Sequence, residues 1–331
     1  MHPRSHRHAE LLLLRARGPT LTGPLRWLGG TLLTLALLGC GAKPEAPVAT
    51  QGPLPAYFDC VRDAQALLIA THRAGPAPGY PENALETLQH AWSQGLLVHE
   101  VDVAESRDGV LFLMHDRSLG RTTTGEGQVV DRDWAQIRAT RLVDPVGQET
   151  AYHPPTLADV LRWAVEAGAV LELDRKRSTS FRNIIDAVRT AGAQQHVVLI
   201  SYSDSEASLI ARLAPELMLS ASARNPADVA RLAESKVATE NLLAWTGTRS
   251  PDAQAFAALR QLGIEPVFGT LGRRGERLDD RWLADGDAGE YGALVAQGLV
   301  LLATDRPYEV AQALRADERA VEACGLPFPA P

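Results

Sequence analysis

The sequence predicts an α/β fold, a single (β/α)8 TIM barrel that follows an N-terminal signal and tether. Three observations carry this reading. Short apolar runs alternate with amphipathic segments along residues 63–331. Glycine closes several of the amphipathic segments, as it does at helix C-termini. The unit holds about 270 residues, near the roughly 250 typical of such barrels. An open doubly wound sheet is the main alternative, but no Gly-rich phosphate fingerprint follows the first strand.

The alternation runs in order. "ALLIATH" precedes "ENALETLQHAWSQG", and "LLVHEVDV" and "GVLFLMH" follow. Then come "PTLADVLRWAVEAG" with "AVLELD", and "SFRNIIDAVRTAG" with "HVVLISY". The second half continues with "SEASLIARLAPE" and "LMLSASA", "NPADVARLAES" and "NLLAWT", and "PDAQAFAALRQLG" and "EPVFGT". It closes on "EYGALVAQG", "LVLLATD" and "YEVAQALRA". Residues 271–289 are polar and Gly-rich; they interrupt the pattern and read as an elongated loop over the site face.

Residues 1–39 differ in kind. They hold five Arg, one Glu and the run "WLGGTLLTLALLG", too short to span a membrane but suited to an export signal. "LLGC" resembles the lipobox of bacterial lipoproteins, which implies cleavage before Cys40 and lipid attachment there. Residues 40–62 then read as lipidated cysteine and Pro/Ala-rich tether. The expected location is the bacterial cell envelope, on the membrane through a lipid anchor. The chain carries a net charge of −7; the leader contributes +4, which leaves −11 for the rest. So acidic a protein, with no basic run, is not expected to bind nucleic acid. An anionic substrate then needs local cations or a metal. Cys60 and Cys324 lie near the two ends of the barrel unit, where closure could bring them together. A disulfide is the expectation for an exported chain, with two free thiols the alternative.

Glu100 and Asp102 occupy alternate positions of one apolar strand, so both side chains leave the same face. Two adjacent carboxylates repel unless a positive charge lies between them, and hard cations such as Ca²⁺ and Mg²⁺ prefer carboxylate oxygen. Glu172 and Asp174 repeat the device in "LELD". His72, His115 and Asp305 also end apolar runs, where the active-site residues of a barrel gather. Two histidines beside an acidic metal site suit proton transfer in both directions, and Arg73 can fork onto a phosphate. His99 faces away from Glu100 and reads as packing, while Trp245 could line the mouth.

"HRAG…PENALETL", "HEVDVAESRDGVLFLMHDRSLGRTTTGEG", "PTLADVL", "LELD" and "GLVLLATDRP" together resemble the glycerophosphodiester phosphodiesterases. The resemblance implies a TIM barrel, one divalent cation and hydrolysis of a small glycerophosphodiester to glycerol phosphate and an alcohol. It implies Glu100, Asp102 and Glu172 as metal ligands, His72 as base, His115 as acid and Arg73 on the phosphate. The family usually carries Glu-x-Lys where this chain has Glu172-Leu173-Asp174, so Asp174 is expected either to join the metal or to alter specificity. A lyase on the same barrel that makes a cyclic phosphate, and a non-catalytic phosphodiester-binding lipoprotein, are the alternatives.

Overall fold

The computed structural model describes residues 54–284 and 286–328. Nine strands form its sheet: β1 (Leu68–Thr71), β2 (Val98–Glu105), β3 (Leu111–Leu113), β4 (Val170–Arg175), β5 (Val197–Ile200), β6 (Met218–Ser222), β7 (Leu242–Trp245), β8 (Glu265–Gly269) and β9 (Leu301–Thr304). All but β3 pair in parallel in the order β1-β9-β8-β7-β6-β5-β4-β2, and a β1–β2 pairing closes the ring. This is the expected eight-stranded barrel. The run "VLFLM" departs from expectation. It forms β3, a three-residue strand antiparallel to the end of β2 and outside the barrel. Three residues are too few for a barrel stave, and the turn before them folds the chain straight back.

The helices in chain order are α1 (Leu54–Asp63), α2 (Leu85–Ser93), α3 (Trp134–Arg138), α4 (Leu157–Ala167), α5 (Phe181–Thr190) and α6 (Asp204–Leu213). They continue with α7 (Pro226–Glu234), α8 (Ala253–Gln261), α9 (Leu278–Trp282), α10 (Gly289–Ala296), α11 (Pro307–Leu314) and α12 (Ala316–Cys324). Several start on a side-chain cap: Thr156, Ser180, Ser203 and Asn225 each accept the backbone N–H three residues on. Outward residues such as Val101, Val103, Leu171 and Leu173 pack under α4 and α5. No described helix is long and apolar enough to cross a membrane.

The leader 1–39 and Cys40 lie outside the described residues. The tether expected through residue 62 ends earlier, because Leu54–Asp63 is helical. Leu54, Tyr57, Phe58 and Val61 lie one helical turn apart and are buried against Leu68, Val98, Val170 and Leu301, near the N-terminal ends of their strands. Thus α1 plugs the bottom of the barrel. Arg62 adds a bond to Gly263 O (2.8 Å) and an ion pair with Glu265 (2.5 Å). Burial pushes Glu265 up to about 7, although Arg62 pulls the other way.

Cys60 of α1 and Cys324 of α12 form a disulfide, with Cα atoms 5.9 Å apart and a sequence separation of 264. It ties the two ends of the barrel unit beneath the ring. The Cys60→Ser/Cys324→Ser variant is expected to lose about 2–5 kcal/mol of stability. A urea midpoint equal to that of the oxidised wild type would show that the bond holds nothing the packing does not.

Candidate active site

The C-terminal ends of the strands gather the polar residues on one rim. Immediately after β1, residues Arg73 (φ 50°), Ala74 (φ 72°) and Gly75 (φ 81°) are all left-handed. Two non-glycine residues in that region store strain, which persists where surrounding contacts fix it. Here the contacts are specific. The Arg73 N–H donates to Glu100 Oε2 (2.7 Å), and the Asn83 N–H donates to Arg73 O (3.0 Å). Asn83 also clamps Asp102: its Nδ2 donates to Asp102 Oδ2 (2.6 Å), and its Oδ1 accepts from the Asp102 N–H (2.9 Å).

Three buried carboxylates, Glu100, Asp102 and Asp174, each bring an oxygen within 4.8 Å of the others. Register explains the choice of residues. In the β2–β4 ladder Glu100 lies beside Glu172 and Asp102 beside Asp174, so the aspartates form the upper layer. Glu100 reaches that layer because its longer chain is drawn up to the Arg73 N–H. Glu172 stays below, and burial alone pushes it up to about 7. Burial and then the charges of Asp102 and Asp174 hold Glu100 well above the usual carboxylate range. Asp102 is also buried, but Lys176 and His115 bring it below that range. Lys176 stands just past β4 and places Nζ 2.5 Å from Asp102 and 2.6 Å from Asp174. Burial opposes its charge, yet those two aspartates keep its affinity for the proton raised. Asp174 Oδ1 is buried with no hydrogen-bond partner, while its Oδ2 also accepts from the Tyr202 hydroxyl (2.9 Å). Clustered hard oxygens with one left unsatisfied fit a divalent cation.

Both histidines are backed by a carboxylate. His72 Nδ1 lies 2.6 Å from Asp305 Oδ1, at the end of β9. Asp305 Oδ2 accepts from the Gly272 N–H (3.0 Å) and pairs with Arg277 (2.8 Å). Burial works against ionisation of Asp305, but His72, Gly272 and Arg277 pull it down to about 2. The interrupting segment therefore supports the His72 partner. His115 follows β3 and is placed by the Met114 N–H, which donates to Asp102 O (2.9 Å). Its Nδ1 lies 2.8 Å from Asp116 Oδ1. Arg121 hydrogen-bonds Asp116 and holds it at about 2. An ionised carboxylate only accepts, so each histidine donates from Nδ1 and turns Nε2 outward.

Arg121 also forks onto Glu82 with two bonds of 2.7 Å. Glu82 in turn meets Arg73 Nη1 at 3.2 Å, while Arg73 Nε is buried, without a hydrogen-bond partner, and 3.8 Å from Asp102. A central pocket of about 210 Å³ opens among His72, Glu100, Glu172, Asp174, Tyr202 and Trp245.

The glycerophosphoryl diester phosphodiesterase family model matches residues 72–250, more than half of the chain and all of this rim except the Asp305 side. The chain belongs to this family. A solved glycerophosphoryl diester phosphodiesterase from Parabacteroides distasonis is 26% identical and superposes with a TM-score of 0.70 over 80% of this chain and 92% of that one. A probable glycerophosphodiester phosphodiesterase of Mycobacterium tuberculosis is 26% identical over 57% of this chain. The chain spans 63% of that relative's length, just under two thirds. An Oleispira antarctica phosphodiesterase, solved with the product sn-glycerol-3-phosphate, shares the fold at a TM-score of 0.60 and 21% identity, over 77% of this chain and 99% of that one.

Within this family frame, the structure rearranges one expectation. It gathers Asp174, not Glu172, with Glu100 and Asp102. The acid-x-Lys spacing expected of the family falls two residues later, on Asp174-Arg175-Lys176, and the lysine is present. Asp174 thus takes the acidic place of that pair rather than the lysine's. His72, His115 and Arg73 stand on the rim as expected. The buried His99 faces Trp163 outside the barrel. Asn83, Asp116, Arg121 and Lys176 were not singled out from sequence as site residues. Asp116 gave a signal as the neighbour of His115, and Lys176 as the next position on the alternation of Glu172 and Asp174.

Proposed function

We propose that the protein hydrolyses glycerophosphodiesters to glycerol phosphate and an alcohol. The observation that carries this reading is the pair of carboxylate-backed histidines beside three clustered carboxylates, in a chain of this family. Glu100, Asp102 and Asp174 would hold one divalent cation, Ca²⁺ or Mg²⁺, and Glu172 would lie beneath it. When bound, such a cation supplies Lewis acidity and offsets charge on the phosphoryl oxygens. Arg73 offers its unpartnered Nε–H to a phosphoryl oxygen. His72 accepts a proton from water at Nε2 as the water oxygen bonds to phosphorus. His115 donates its Nε2 proton to the alcohol oxygen as the P–O bond breaks. The water's hydroxyl ends on phosphorus, and the alcohol leaves neutral.

Incubation of purified protein with glycerophosphocholine and Mg²⁺ or Ca²⁺, followed by phosphorus NMR, tests this. The expected product is glycerol phosphate from the outset. A cyclic phosphate that accumulates would assign the lyase reaction instead. Tight binding with no turnover under either cation would leave a binding protein.

We also propose that the chain is exported and lipid-anchored through Cys40 in the bacterial cell envelope. "LLGC" supports this, as does the Cys60–Cys324 disulfide, a bond that persists in oxidising compartments. Mass spectrometry of the mature N-terminus in envelope fractions checks it, and an unmodified Cys40 would remove the proposal.

A further inference from the structure

The two oxygens of Asp174 are not treated alike. Lys176 Nζ donates to Oδ2 (2.6 Å), and the Tyr202 hydroxyl donates to the same Oδ2 (2.9 Å). Oδ1 is buried and accepts no hydrogen bond among the described residues. Two donors on one oxygen fix the rotation of the carboxylate, because exchanging the oxygens breaks both bonds. Lys176 alone is a poor anchor. Its flexible stem ends on a charge shared with Asp102 at 2.5 Å.

Tyr202 follows β5 and is 71% exposed, so packing does not hold its ring in place. Its polar ends do. Ser203-Asp204-Ser205-Glu206 has the spacing of a capping box, in which the glutamate side chain reaches back to the serine N–H. Ser203 performs its half and accepts the Glu206 N–H (3.2 Å). Glu206 departs from the pattern. Its Oε2 accepts the Tyr202 N–H (2.9 Å), and its Oε1 pairs with Arg175 (2.7 Å). Arg175 is itself fixed, with its guanidinium 4.8 Å from the centre of the Phe181 ring and a bond to Thr179 O (3.1 Å). Neighbours on a strand face opposite ways, so β4 is gripped on both sides at its end. The bonds close a ring through Asp174, Arg175, Glu206 and Tyr202.

We infer that Tyr202 is a positioning residue for the cation site: its hydroxyl, seated by Glu206 and Arg175, keeps Asp174 Oδ1 turned toward the cation. The inference rests on the cation-assisted hydrolytic reading of this rim. Its test is calorimetric titration of wild type, Tyr202→Phe, Glu206→Gln and the double variant with Mg²⁺ and Ca²⁺, beside turnover of glycerophosphocholine. Tyr202→Phe keeps the ring and is expected to bind the cation about tenfold more weakly, with excess cation restoring most of its turnover. Glu206→Gln is expected to weaken binding a few-fold in wild type and to add little to Tyr202→Phe, because it acts through the tyrosine. Wild-type cation affinity in Tyr202→Phe overturns the positioning role and leaves the hydrolase standing, as does a raised KM at saturating cation with affinity unchanged. Equal losses from Glu206→Gln in both backgrounds overturn its seating of Tyr202. Wild type that binds the cation but hydrolyses nothing overturns the hydrolytic reading, while the calorimetric comparison still decides the role of Tyr202. Wild type that binds neither cation overturns both.

Discussion

Asp174→Ala is expected to abolish turnover and divalent-cation binding while the barrel remains folded. Asp174 supplies one of three clustered carboxylates and holds a buried oxygen that no donor satisfies. Its removal would take away a proposed ligand and also free Lys176 to pair fully with Asp102, which would compete with a cation for the remaining oxygens. A loss of at least about 10³ in kcat/KM, roughly 4 kcal/mol, is expected. Glu172→Gln makes the contrast. It lies one layer deeper, and its replacement should leave cation affinity within a few-fold of wild type. Calorimetric titration with Mg²⁺ and Ca²⁺, paired with circular dichroism, separates the two. Full cation affinity in Asp174→Ala, with loss in Glu172→Gln, would return the ligand to the deeper residue.

His72→Ala and His115→Ala are expected to fail differently. On glycerophosphocholine both should fall by about 10²–10⁴ in kcat, the usual worth of a positioned proton-transfer group. On a nitrophenyl phosphodiester, whose leaving group departs without a proton, His115→Ala should recover most of its activity. His72→Ala should stay crippled, because water needs activation with either substrate. Asp305→Asn and Asp116→Asn should follow their own histidine in this split, since each orients one ring. Equal losses on both substrates for His115→Ala would remove it as the acid. Wild-type rates in both alanine variants would make the two histidines structural.

Much of this site was legible because strand periodicity is rigid. Alternation put Glu100 with Asp102 and Glu172 with Asp174, and apolar runs ended on His72 and His115. Depth was not legible. Alternation says which residues share a face but not which layer meets the mouth, so Glu172 and Asp174 could not be ranked. The answer lay in the β2–β4 register and in the longer reach of Glu100. Lys176 lies past the end of the strand, yet its four-carbon stem reaches back over two aspartates. Helix α1 carried its own signal, with Leu54, Tyr57, Phe58 and Val61 at helical spacing, but the preceding Pro/Ala composition outweighed it. Glu82 is an acid placed shortly before a helix, where an N-terminal dipole would suit it. That helix begins at Leu85, and Glu82 joins two arginines instead. Contacts of that kind form between loops distant in sequence, and no local pattern announces them.

His72 directly follows the first barrel strand and Asp305 the last, 233 residues apart. The seam where β1 meets β9 is therefore also where the base acquires its orienting partner. A ribosome releases the histidine long before it makes the aspartate. A nascent chain that has passed β4 but not reached the end of β9 holds the acidic cluster and both histidines while His72 still lacks Asp305. The His72–Asp305 pair waits for the final strand, and Cys324, made later still, then closes the disulfide with Cys60. The fold thus works as a check on completeness, in which a chain cut off before β9 lacks the carboxylate that orients His72.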